Sequence, residues 1–139
     1  MTTRRPGVLF VCVKNGGKSQ MAGGLMRDLA GNAITVHTAG THPGNKLNAQ
    51  SVGSLAELGI DISGEHTKPI TEDLLVDVDL VITLGREATV DPIPGMEVRN
   101  WDTDEPSERG IEGMKRMRLV RDDIRDRVRS LAREMLQDN

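Results

Sequence analysis

The sequence predicts an α/β fold: a doubly wound, parallel, four-stranded sheet with helices on both faces. Three observations carry this expectation. Val8 to Val11 form a continuous apolar run and Leu80 to Leu84 a second, largely apolar one, the pattern of strands buried on both faces. Strand-like and helix-like stretches alternate along the whole chain. A glycine-containing loop, Asn15-Gly16-Gly17, joins the first apolar run to a helical stretch, and ligand sites in such sheets form beyond the carboxyl ends of strands. With 139 residues there is material for one continuous core, so residues 1–139 read as a single domain.

The elements follow in order. After the first strand, Met21, Leu25, Met26 and Leu29 recur at helical spacing from Ser19 to a stop at Gly31 or Asn32. Gly23 and Gly24 weaken that helix by roughly 1 kcal/mol each, so close packing on the sheet is expected to compensate. Ile34 to Thr38 alternates as a second strand. Asn48 caps a helix running to Leu58, stopped by Gly59, and Thr71 caps a short one through Leu75. Leu80 to Leu84 is the third strand and Met96 to Trp101 the fourth, with an irregular, proline-containing stretch between them. Asp102 to Gly110 reads as an exposed acidic loop. From Ile111 onward, Met114, Met117, Val120, Ile124, Val128, Leu131 and Met135 mark a long amphipathic helix, its arginines and acids forming i to i+4 pairs on a solvated face.

Composition excludes several classes. No apolar stretch approaches membrane-spanning length, and Met1 to Pro6 lacks the apolar segment of a secretory signal, so a cytoplasmic protein is expected with no membrane partner. A formal charge of −3 and 1% aromatic content offer neither a broad basic field nor a base-stacking platform, so no nucleic-acid partner is expected. His37, His42 and His66 are dispersed, and no metal site is expected. A lone cysteine, Cys12, forbids an internal disulfide.

The chemistry concentrates in GVLFVCVKNGGKSQMA, residues 7–22. A strand that feeds a glycine loop into a helix N-terminus gathers unsatisfied N–H groups and the positive end of a helix dipole at one point, where an oxyanion binds. Cys12 sits on its rim, where those amides with Lys14 and Lys18 favour a thiolate. GGKS also resembles the end of the nucleotide loop G-x-x-x-x-G-K-[ST], but Cys12 stands where the first glycine belongs.

Read from the cysteine, residues 12–19 form C-x5-K-S, which resembles the C-x5-R-S oxyanion loop of low-molecular-weight protein tyrosine phosphatases and the arsenate reductases that share their fold. FVCVKNGGKSQMA, HTAGT at 37–41, LAELGIDIS at 55–63, DLVITL at 79–84 and W-x4-P at 101–106 follow that family in order. Three departures matter. Lys18 stands where the family usually has arginine, and lysine lacks the planar fork that holds a transferring phosphoryl group. Gly85 and Pro92 stand where thioredoxin-coupled arsenate reductases place their second and third cysteines. Glu105 replaces the aspartate of the acid-before-proline pair, with Asp104 beside it, so either carboxyl is a candidate proton donor.

The resemblance is closest to single-cysteine arsenate-mycothiol transferases. It implies that arsenate is held in the loop, that mycothiol as cosubstrate forms a thiol-arsenate adduct, and that a mycoredoxin completes reduction to arsenite. Glutathione in place of mycothiol stays open. The oxyanion is expected to be bound by Val13, Lys14, Asn15, Gly16, Gly17, Lys18 and Ser19, with Cys12, Lys18 and Glu105 or Asp104 catalytic. A phosphatase, and a noncatalytic oxyanion- or nucleotide-binding module, are the alternatives.

Overall fold

The computed structural model describes residues 5–91 and 93–137; Pro92 lies outside them. Its elements are β1 (Gly7–Cys12), α1 (Lys18–Ala30), β2 (Thr35–Gly40), α2 (Ala49–Ala56), α3 (Glu72–Val76), β3 (Leu80–Leu84), β4 (Glu97–Trp101) and α4 (Gly113–Gln137), with 3-10 turns at Gly31–Ala33 and Pro106–Arg109. The sheet has four strands in the order β2-β1-β3-β4, every pair parallel. The chain leaves β1 toward β2 and later crosses back to β3, so the switch point lies at the carboxyl end of β1.

Alternation along β1 divides the core. Val8 and Phe10 face a large cluster built with Met21, Met26, Leu55, Ile124 and Val128, that is, with α1, α2 and α4. Leu9 and Val11 face a smaller cluster with Val78 and Val81, onto which Leu74 and Leu75 of α3 pack. The expected helices on both faces are therefore present, though unevenly, with one five-residue helix on the second face. No described helix is long and apolar enough to cross a membrane.

The two glycines of α1 owe their place to packing. A Cβ on Gly23 would lie 2.5 Å from Thr38 Cγ2, and one on Gly24 2.7 Å from Ile62 Cγ2. Asn48 and Thr71 cap α2 and α3 as expected, accepting from the amides of Ser51 and Leu74. Helix α2 stops at Ala56, two residues early, because Leu58 and Gly59 turn back to Leu55 and Ala56.

The long helix departs from expectation in its charges. It starts at Gly113, beyond Ile111. Arg127 does pair with Asp123 four residues earlier, but Arg118 and Arg121 cross to Glu57 beyond α2, and Arg99 of β4 reaches back to Glu134. Arg121 is only 8% exposed and also donates to the carbonyl of Ser54 at 2.9 Å. These ion pairs link α4 to its neighbours, while Asp122, Asp126, Arg129 and Arg133 stay on the expected solvated face.

Candidate active site

The loop between β1 and α1 is shaped by what its carbonyls do. The oxygens of Cys12, Val13, Lys14 and Gly16 accept from the amides of Thr41, His42, Gly44 and Asn48, at 3.0, 2.7, 2.9 and 2.7 Å. The carbonyl of Asn15 accepts from Gln20 Nε2 and that of Gly17 from Met21 N. With every carbonyl from 12 to 17 drawn outward, the N–H groups are left for the interior. Those of residues 14–17 make no hydrogen bond within the described residues, and α1 begins at Lys18 without a side-chain cap. Unsatisfied amides at an uncapped helix start are the physical basis of an oxyanion site.

Packing forces this curvature. Asn15 is fully buried with φ of 55°, a conformation that asparagine tolerates better than most residues. Gly40, at the end of β2, lies so close beneath the loop that a Cβ there would meet Val13 O at 2.7 Å and Asn15 N at 3.0 Å.

A relay of side chains ends at the sulfur. The amide of Lys68 donates to Asn15 Oδ1 at 3.0 Å, which fixes the other end of that side chain as nitrogen, and Asn15 Nδ2 donates to Ser19 Oγ at 2.7 Å. Ser19 Oγ lies 2.9 Å from Cys12 Sγ. With Asn15 donating to the hydroxyl oxygen, the Ser19 proton is free to be given to the sulfur, the one acceptor beside it among the described residues. Ser19 is the second residue of α1, so it does not serve as the helix cap.

Cys12 is 8% exposed and opens on a cavity of about 530 Å³ lined also by Val13, Lys14, Lys18, Gly85, Thr103 and Glu105. The Thr103 hydroxyl, on a residue 5% exposed, has no hydrogen-bond partner among the described residues. Lys18 reaches toward the acidic loop, its Nζ 3.9 Å from Glu105 Oε1. Glu105 is gripped by Arg116 of α4 through two hydrogen bonds of 2.8 and 2.9 Å. Arg116 holds the Glu105 carboxyl below the usual carboxylate range; burial opposes this, and Ser107 and Lys18 assist. Asp104 is turned aside, both its oxygens taken by Arg109 at 2.8 and 3.2 Å, and Arg109 likewise lowers its pKa. The structure thus brings Cys12, Lys18 and Glu105 around one cavity, whereas Asp104 does not line it.

The comparisons with known proteins decide the family. Residues 7–139 match the profile described as "Low molecular weight phosphotyrosine protein phosphatase". The chain belongs to that family. Among curated relatives, the arsenate reductase of Bacillus subtilis is 34% identical over 131 residues, covering 90% of this chain and 94% of the relative. The glutaredoxin arsenate reductase of Synechocystis is 31% identical over 127 residues, covering 89% and 94%. Among solved structures, a thioredoxin-dependent arsenate reductase of Corynebacterium glutamicum superposes with a TM-score of 0.83 at 29% identity, covering all of this chain and 66% of that longer one. An arsenate reductase in the phosphate-binding state gives a TM-score of 0.81 at 28% identity, covering 94% and 98%.

Within this phosphatase family frame the departures acquire a geometry. Gly85 (φ 91°) lines the Cys12 cavity, and a Cβ there would lie 3.8 Å from Lys18 Nζ. The position at which the resemblance implies a second sulfur in thioredoxin-coupled relatives is therefore beside the site, and glycine stands there. Arg86, which also lines this cavity, pairs with Asp102 at 3.0 Å and Glu108 at 3.7 Å, linking the loop after β3 to the acidic loop.

Sequence reasoning missed Arg116, Gln20 and Lys68. Gln20 is fully buried and braces the loop by donating to Asn15 O and His66 O. A polar residue directly after Lys18-Ser19 on a helix otherwise apolar on that side was the available signal for Gln20. For Arg116, one arginine among many on α4, there was none.

Proposed function

We propose that this protein is an arsenate reductase that works by transfer: arsenate held in the Cys12 to Ser19 loop is passed to a low-molecular-weight thiol, with mycothiol as the thiol and a mycoredoxin as the reductant. The observation that carries this reading is the vacant side-chain position at Gly85 beside a cysteine that is the only one in the chain. The relatives named as arsenate reductases support the substrate, and the missing second thiol supports an external one.

In this mechanism the free amides of residues 14–17 and Lys18 bind the oxyanion, and the Ser19 hydroxyl holds the nucleophilic Cys12 sulfur in place. The sulfur attacks arsenic, an As–O bond breaks, and the departing oxygen leaves as water. Glu105 supplies the proton, which it takes up only when the Arg116 hydrogen bonds loosen as well as the Lys18 contact; Asp104 would have to release Arg109 first. The incoming thiol then forms its own S–As bond, Cys12 departs as thiolate, and the thiol's proton passes to Glu105. Arsenic stays pentavalent through both displacements. Reduction comes afterwards, when a redoxin thiol attacks the adduct sulfur, a mixed disulfide forms, and arsenic takes the electron pair as arsenite.

The family's phosphatases supply a second reading, in which water replaces the thiol. Lys18, a point charge in the place of a bidentate fork, weighs against it. The test is arsenate turnover measured with mycothiol and mycoredoxin, glutathione and glutaredoxin, and thioredoxin, beside hydrolysis of an aryl phosphate. Turnover that requires a low-molecular-weight thiol and vanishes in Cys12→Ser is expected; aryl phosphate hydrolysis without thiol and no arsenate turnover would overturn the reading.

A further inference from the structure

A second chamber of about 540 Å³ adjoins the Cys12 cavity and shares Lys14, Lys18 and Arg116 with it. Gly16 and Gly17 of the oxyanion loop line it together with the adjacent Asn45 and Lys46, and the buried side chains of Met117 and Val120 supply apolar surface. No carboxylate lines it, although the protein is acidic overall. Glu87, Asp102, Glu105 and Glu108 all lie on the Cys12 side. Neither Lys14 nor Lys46 has an ion-pair partner among the described residues.

The chamber is also anchored to the loop. Gly44 and Asn48 donate to the carbonyls of Lys14 and Gly16, and a Cβ on Gly16 would stand 3.0 Å from the Lys46 carbonyl. Residues 44–48 are thereby held at a fixed distance from whatever the loop binds.

We infer that this chamber is the subsite for the thiol cosubstrate, a small thiol whose remaining body is rich in oxygen acceptors. The inference rests on the transfer reading above. A lining that offers the Lys14 and Lys46 ammonium groups and the Asn45 amide, while Lys18 and Arg116 are held by Glu105 and no carboxylate lines the chamber, suits hydroxyls or carboxylates and repels cations. The apolar surface of Met117 and Val120 excludes water beside the ligand. The chamber opens on the loop between Lys14 and Lys18, so the thiol sulfur reaches an oxyanion held there while the rest of the molecule stays on Lys14, Lys46 and Asn45. Two sources share this chemistry, a neutral polyol thiol such as mycothiol and a carboxylate-bearing thiol such as glutathione.

The experiment uses the full chain and two variants of exposed chamber residues, Lys46→Gln and Asn45→Trp, the second to fill the space. Steady-state arsenate turnover gives KM for thiol and for arsenate, and calorimetry measures binding of S-methyl mycothiol and S-methyl glutathione, which cannot react. The expected result is a thiol KM raised about fivefold or more in both variants, arsenate KM within about twofold, and a matching loss of S-methyl thiol binding. Salt distinguishes the source: rising ionic strength weakens a carboxylate thiol and leaves a polyol thiol nearly unchanged. Normal wild-type turnover with thiol KM and S-methyl thiol binding unaltered in both variants would overturn the subsite and leave the transfer reading standing. Absence of thiol-dependent turnover together with absence of S-methyl thiol binding to the wild type would overturn both.

Discussion

Ser19 Oγ stands 2.9 Å from Cys12 Sγ while accepting a hydrogen bond of 2.7 Å from Asn15 Nδ2. The serine is fully buried and has no competing acceptor among the described residues, so its proton belongs to the sulfur. Removing it in Ser19→Ala takes away the side-chain hydrogen bond that positions the sulfur, a loss of about 1 kcal/mol or more. Alkylation of Cys12 by iodoacetamide at pH 7 is expected to slow about tenfold or more, with Ser19→Thr recovering part of the rate. An unchanged alkylation rate in Ser19→Ala would contradict the relay.

Gly40 tests whether the loop's shape is imposed from beneath. A methyl group there must displace the Val13 carbonyl, 2.7 Å away, and that carbonyl also accepts from His42. Gly40→Ala is expected to cost about 1–3 kcal/mol of stability, in the range of overpacked sites, and to abolish the rise in Tm that arsenate or phosphate gives the wild type. A variant that keeps both its Tm and its anion-induced stabilisation would show that the loop holds its own shape.

The two acidic candidates separate by geometry. Glu105 lines the Cys12 cavity and contacts Lys18, whereas Asp104 is committed to Arg109. Glu105→Gln is expected to lower kcat roughly 10²-fold or more, as for loss of a proton-transfer group, and Asp104→Asn to change it only a few-fold. Because Arg116 lowers the Glu105 pKa, Arg116→Gln should let Glu105 take up its proton at higher pH. The limb of the kcat profile that reports this group is then expected to move to higher pH; an unmoved limb would contradict the pairing.

Glu57 links α4 to the residues following α2. Hydrogen bonds from Arg118 and Arg121 lower its pKa from 4.5 to about 2, with burial opposing. A carboxyl whose folded value lies below its unfolded value contributes fully above the unfolded value, and the contribution fades as pH falls through the folded one. Wild-type Tm is therefore expected to fall between pH 4.5 and about 2 more steeply than that of Glu57→Gln. Parallel Tm curves would contradict the clamp.

Sequence and structure agree where a signal is local. The strands around Phe10 and Ile82 were legible because both faces are buried, which leaves them almost wholly apolar. The loop was legible because spacing alone places Cys12, Lys18 and Ser19 around one centre. Asn48 and Thr71 were legible as caps because a cap acts within three residues. What escaped depends on contacts between distant segments: Arg116 finds Glu105 through the curl of the acidic loop, Lys68 reaches Asn15 across a turn, and Arg118 and Arg121 converge on Glu57 because α2 packs against α4. An amphipathic pattern identifies a helix's buried stripe but not the partners of its charged residues.

The central claim is that the thiol which resolves the arsenate on Cys12 is a separate low-molecular-weight thiol. Its most direct measurement is mass spectrometry of the products of one arsenate reaction, run in parallel with mycothiol and with thioredoxin. A thiol-arsenate adduct in the mycothiol reaction, with arsenite appearing once mycoredoxin is added and no arsenite in the thioredoxin reaction, is the predicted result. Arsenite formed with thioredoxin alone would contradict it.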